Sequence, residues 1–189
     1  MKLFDLLIAK KITGGGGGGG EEAANTALAK LLTDTGTAIM PTTHLIVKNI
    51  TQLAQQGLYG KRNLVSVSMP DLEVIGQYGL ALCSNLETVE FPSVQVVNSY
   101  AFKYSSKLDN VELPSAMQIL AEAFSGCSAL ASITLSGRTV CSLANPNAFS
   151  NSGITSTTGA IYVPADLVDT YKAATNWSVF ADRIFPIED

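Results

Sequence analysis

A 22-residue unit recurs along the middle of this chain and constrains its architecture more than any other feature. Leu64-Val65-Ser66-Val67-Ser68-Met69-Pro70 returns as Leu86-Glu87-Thr88-Val89-Glu90-Phe91-Pro92, then as Leu108-Asp109-Asn110-Val111-Glu112-Leu113-Pro114. A second anchor keeps the step at Gly79-Leu80, Ala101-Phe102 and Ala123-Phe124, and a third at Ile75, Val97 and Ile119. A fixed period of this size marks a solenoid, in which no unit buries its apolar face alone and stacked neighbours share one core.

Each unit makes physical sense. Val67 and Met69 alternate with Ser66 and Ser68, so a strand turns the apolar pair inward and the polar pair outward. The proline that follows ends the pairing because it lacks an N–H. Leu72 to Ile75 should turn back under the core, and the Ala-Phe pair should fill the far side. Leu130 to Leu135 repeats the strand, and its unit is stretched around Asn145-Pro146-Asn147 before Ala148-Phe149. Upstream, Leu45, Val47, Leu53 and Gly57-Leu58 fit the register, so 42–63 reads as a degenerate first repeat. Ile161-Tyr162-Val163-Pro164 adds a closing strand, for about five repeats in all.

The pattern L-x-x-V-x-L-P-x-x-V-x-x-I-x-x-x-A-F-x-x-C-x over 42–164 resembles the BspA-like family of leucine-rich repeats. Leu72, Val94 and Ala116 stand where the commoner repeat class carries Asn or Cys. The fold expected is therefore α/β: a leucine-rich repeat solenoid with 22-residue repeats, a parallel β-sheet on one face and a C-terminal helical cap. The resemblance implies a module of bacterial or protist surfaces or of phage-associated proteins, acting in binding or adhesion, without shared catalytic residues.

The segments expected are an apolar start at 1–13, a polyglycine linker at 14–20, a short helix and connection at 21–41, the repeats at 42–153, and a closing strand with its cap at 154–189. Asp5 and the lysines after Ala9 make the start a poor secretory signal. That favours a virion-associated or cytoplasmic setting over classical export. Gly14 to Gly20 supplies a tether and, lacking Gly-Lys-Ser/Thr, is no phosphate loop. Residues 1–20 read either as a docking peptide or as a tail with no specific role. The layout of short start, glycine run and folded domain also resembles minor structural proteins of tailed phages.

After Pro164, Leu167, Val168, Tyr171 and Ala174 fall at helical spacing. Trp177, Val179, Phe180, Ile184 and Phe185 follow as an apolar group suited to covering the open end of the solenoid. This segment resembles the closing segment of the BspA-like class. Trp177 reads as core of the cap, with a sugar-stacking platform as the alternative.

Composition narrows the partners. A net charge of −4, without a concentrated basic patch, argues against nucleic acid. No stretch is long and apolar enough for a membrane span. Cys83 and Cys127 occupy one repeat position two units apart, roughly 10 Å at the strand spacing, which is beyond bridging reach. They read as small buried fillers, whereas Cys141 has no repeat equivalent and is expected to be partly exposed.

The sequence offers little reactive chemistry. His44 is the one histidine, no nucleophile motif accompanies it, and no His/Cys set has zinc spacing, so no catalytic residue, metal or cofactor is expected. The strand register lays out two outward columns. One reads His44, Ser66, Thr88, Asn110, Ser132, Ala160, and the other Ile46, Ser68, Glu90, Glu112, Thr134, Tyr162. Ser66, Ser68, Thr88, Glu90, Asn110, Glu112, Ser132, Thr134 and Tyr162 are the candidate binding face. Its alternative is a merely soluble sheet surface. Glu90 and Glu112 should lie side by side about 5 Å apart, an unfavourable pairing of like charges unless screened or bridged. A screened pair, a contact for a cationic partner group, or a weak hard-cation site would each account for it.

The function expected is a non-enzymatic recognition or structural module that binds a protein or a glycan, in a phage tail-associated or prophage structural protein or in a bacterial cell-surface adhesin. The remote alternative is a hydrolase or metal-dependent module using His44 or Glu90 and Glu112.

Overall fold

The computed structural model describes the backbone of Leu6–Ala9 and residues 43–188. The expected linker at 14–20 and helix at 21–41 lie outside the described residues. The core is a parallel solenoid, and the repeat residues form three strips along it.

The first strip is the front sheet expected from the sequence. It contains β2 (His44–Lys48), β4 (Ser66–Ser68), β6 (Thr88–Glu90), β8 (Asn110–Glu112), β10 (Ser132–Thr134) and β12 (Ala160–Val163). Pairing sets residues 22 apart opposite each other, as in Ser66 with Thr88 and Ser132 with Asn110. The apolar start supplies β1 (Leu6–Ala9), parallel to β2 with Leu6 opposite Leu45.

The sheet is not continuous. It divides into β1-β2-β4-β6 and β8-β10-β12 followed by β13 (Ile184–Pro186). At the seam the Asp109 N–H reaches the Glu87 carbonyl at 3.4 Å. The corresponding bond is 2.8 Å one repeat earlier, from Glu87 to Val65, and 2.8 Å one repeat later, from Ala131 to Asp109. The lapse coincides with the two features that oppose tight pairing here. Glu90 and Glu112 are like charges on neighbouring strands, and Phe91 puts a ring where other repeats carry Met69, Leu113 or Leu135.

The second strip lies where Leu72 to Ile75 is expected to turn back under the core. It is a second parallel sheet of two-residue strands: β3 (Gln52–Leu53), β5 (Val74–Ile75), β7 (Val96–Val97), β9 (Gln118–Ile119) and β11 (Ser142–Leu143). It runs unbroken past the seam, pairing Val97 with Ile119. Leu143, paired with Ile119, lies 24 residues after it instead of 22. Most of the stretch in that repeat therefore falls before Ser142 and not around Asn145-Pro146-Asn147.

The third strip closes each turn through left-handed backbone. Gln56, Tyr78, Tyr100 and Glu122 have φ between 54° and 63°, and Gly60, Leu82, Tyr104, Gly126 and Asn151 form a parallel series. Side chains other than glycine lose about 1–2 kcal/mol in this conformation. Regular bonds between turns compensate, from the N–H of Tyr78 to the Ser99 carbonyl, Tyr100 to Ala121, Leu82 to Lys103 and Tyr104 to Ser125.

The core fills the space between the strips. Phe102, Phe124 and Phe149 stack with centroids 5.0 and 5.6 Å apart and ring planes within 7°. Leu80 and Leu58 continue that column toward the first repeat. Cys83 and Cys127 are buried fillers, and their thiols donate to the carbonyls of Leu58 and Phe102. Ser105 takes the intervening slot and donates to the Leu80 carbonyl. Cys141 is also fully buried, against the expectation of partial exposure.

The reason is the cap. A 3-10 turn at Ala165–Leu167 leads into α1 (Val168–Ala173), and a second 3-10 segment spans Ser178–Arg183. The Tyr171 hydroxyl accepts the Cys141 N–H at 2.8 Å, and Trp177 Nε1 donates to the Cys141 carbonyl at 2.7 Å. Asn176 Nδ2 donates to the carbonyls of Leu143 and Ala144, which occupies the outer edge of β11. Trp177 is core, as preferred from the sequence, and at 1% exposure it offers no sugar platform. The apolar group after it is not wholly buried, since Val179 and Phe185 face solvent. Phe185 lies in β13, a strand absent from the sequence expectation, which pairs with β12 and ends at Pro186.

Candidate ligand-binding face

Short strands with alternating burial turn their polar residues outward, and the parallel register aligns those residues into rows. The first column runs His44, Ser66, Thr88 and then Asn110, Ser132, Ala160, and the second Ile46, Ser68, Glu90 and then Glu112, Thr134, Tyr162. Both columns are interrupted at the seam.

Hydrogen bonds run along these columns from strand to strand. His44 Nδ1 and Ser66 Oγ lie 2.6 Å apart, Ser68 Oγ donates to Glu90 Oε2 at 2.7 Å, and Ser132 Oγ donates to Asn110 Oδ1 at 2.7 Å. Thr88 and Glu112 are exposed and Thr134 is half-buried. Glu90 is thus engaged by Ser68, on the side away from Glu112. Glu112 pairs with no cation among the described residues.

The far end of the second column is aromatic. Tyr162 pairs in register with Phe185, their centroids 6.3 Å apart, and both rings are partly exposed at 36% and 43%. Phe185 extends the face beyond the residues read from the sequence. Its only signal there was a short apolar Ile-Phe-Pro run, which lies outside the repeat period.

The arrangement offers little for catalysis. His44 and Ser66 are within hydrogen-bond reach, as their shared column implied, but among the described residues no carboxylate orients the imidazole. Burial pushes the thiols of Cys83, Cys127 and Cys141 up to about 12, so they are protonated and poor nucleophiles at neutral pH. Among the described residues, no three His, Cys, Asp or Glu side chains gather as a metal site, and no helix is long and apolar enough to cross a membrane.

Known proteins match in the same region. The BspA type leucine rich repeat region matches residues 48–164 in six copies, against the five and a closing strand counted from the sequence. A Treponema (T. pallidum) leucine rich repeat protein is similar in structure, with a TM-score of 0.55 and 24% identity over 65% of this chain and 58% of that one. This chain therefore corresponds to little more than half of that protein's length. A leucine rich cell surface protein of Faecalibacterium prausnitzii is similar at a TM-score of 0.46, with 20% identity over 68% of this chain and 41% of that one. The pneumococcal vaccine antigen PcpA gives 0.45, with 16% identity over 76% and 40%. No curated protein matches at a significant level. With the family pattern spanning more than half its residues and the solenoid built on that pattern, the chain belongs to the BspA-type leucine-rich repeat family.

Proposed function

We propose that the protein is a non-enzymatic recognition module whose front sheet face binds a protein or a glycan, displayed by a phage particle or at a bacterial surface. The observation that carries this reading is the pair of outward columns from His44 to Ser132 and from Ser68 to Phe185. They combine hydroxyls, an amide, two carboxylates and an aromatic pair on a rigid parallel scaffold. Small polar groups with one aromatic end bind an extended ligand without a deep cavity, because each repeat supplies one more row of contacts. The open setting of His44 and the protonated thiols support the absence of catalysis.

The test uses Glu90→Gln with Glu112→Gln. Removing two exposed like charges should leave the fold intact and raise stability by about 0.2–1 kcal/mol. Binding to a panel of bacterial wall glycans and surface proteins should fall at the same time. Unchanged binding across the panel, together with the gain in stability, would remove the two carboxylates from the binding face.

A further inference from the structure

The side of the solenoid away from the front sheet carries a second ordered strip of side chains. Four of the six tyrosines in the chain lie on or beside the left-handed turns. Tyr59 meets Tyr78 edge-on at 6.3 Å, and Tyr78 stacks on Tyr100 at 4.6 Å with planes within 6°. The Lys103 ammonium stands over the Tyr100 and Tyr104 rings at 4.8 and 5.4 Å and is bonded to Glu122 at 2.6 Å.

Local conformation does not select these residues. The same left-handed positions hold Gln56 and Glu122 in one series and Gly60, Gly126 and Asn151 in the other, so the turn forms without an aromatic side chain. Glycine and asparagine adopt this backbone with less strain than tyrosine. Core filling does not select them either, since Tyr59 and Tyr104 are 43% and 51% exposed.

We infer that this tyrosine strip is a second interaction surface, separate from the front sheet, and that it takes an acidic segment of a protein partner. Tyrosine offers a large, stiff, amphipathic contact at low entropic cost and is enriched with arginine at the energetic centres of protein interfaces. Charge selects the partner's sign. Lys61 and Arg62 follow Tyr59 after the single residue Gly60, and neither pairs with a carboxylate among the described residues. Glu122 is occupied by Lys103, which leaves Lys61 and Arg62 as the charges beside the strip without an ion-pair partner among the described residues. The stacking also argues against a saccharide. Tyr78 and Tyr100 cover one face of each other, Tyr59 and Tyr78 meet edge-on, and the Lys103 ammonium stands over Tyr100 and Tyr104, whereas sugar stacking needs a free ring face. This surface stands independently of the front-face reading.

A random-peptide library selected on the full chain tests it. Acidic peptides should be enriched, and a synthetic copy of the best should bind Tyr59→Ser/Tyr104→Ser and Arg62→Glu about ten-fold or more weakly. Its binding to Glu90→Gln/Glu112→Gln should be unchanged, which separates this strip from the front face. Arg62 is exposed, so Arg62→Glu reads the charge contribution even where the tyrosine changes lower stability. Failure to enrich peptides, enrichment without acidic residues, or undiminished binding to both variants would overturn the inference. So would a glycan whose binding depends on Tyr59 and Tyr104.

Discussion

Replacing Trp177 with alanine is expected to destabilise the protein by about 3–5 kcal/mol and to lower its melting temperature by about 6–20 °C. Trp177 is 1% exposed, and its ring packs against Phe149, Tyr171 and Phe180. Its indole N–H also satisfies the Cys141 carbonyl, which the alanine variant would leave buried without that partner. Because neighbouring repeats are coupled mainly to one another, the damage should concentrate at this end. Amide exchange should accelerate around Cys141 to Leu143 and in β12 and β13, while β4 and β6 stay protected. Tyr171→Phe keeps the ring and loses only the acceptor of the Cys141 N–H, so it separates the hydrogen bond from the packing at a smaller cost of about 1–3 kcal/mol. Uniform loss of protection along the whole solenoid in the tryptophan variant would contradict the role of the cap.

Phe124→Ala is the second large effect expected, again about 3–5 kcal/mol, because it removes the middle ring of the Phe102–Phe124–Phe149 stack. Phe124 is fully buried, and its position falls between the repeat before the seam and the stretched repeat before the cap. The front sheet is already divided between β6 and β8, so the back sheet and this stack carry much of the coupling across that point. The variant should therefore unfold less cooperatively, with denaturation followed at the two ends giving separate midpoints. Phe124→Leu should lose much less, since Leu58 and Leu80 occupy the same column in earlier repeats. A single sharp transition with unchanged midpoint in Phe124→Ala would contradict this account of the core.

Residues that obey the period were legible from the sequence. Leu64, Leu86, Leu108 and Leu130 are all fully buried, and the front columns lie in the order that a step of 22 implies. The degenerate first repeat was legible for the same reason, because Leu45 and Leu53 keep the step and pair with Val67 and Ile75. Other features depend on contacts that periodicity does not encode. Cys141 is buried by Tyr171 and Trp177, some 30 to 36 residues downstream. Strand β13 comprises three residues without a repeat partner, so Phe185 did not emerge as part of the face. Tyrosine, leucine and glutamine carry no signal for left-handed backbone, which hid the third strip. The seam coincides with particular neighbours, Glu90 beside Glu112 and Phe91 against Phe102, which an otherwise regular register does not encode.

The most direct test of the front face as the recognition surface is amide and side-chain shift mapping. The labelled chain would be titrated with a glycan or a protein that binds it in the panel. Shifts are expected to concentrate at Ser66, Ser68, Thr88, Glu90, Asn110, Glu112, Ser132, Thr134 and Tyr162, continuing to Phe185. Saturable binding that leaves all of these unmoved, with shifts confined to the back sheet or the cap, would contradict it.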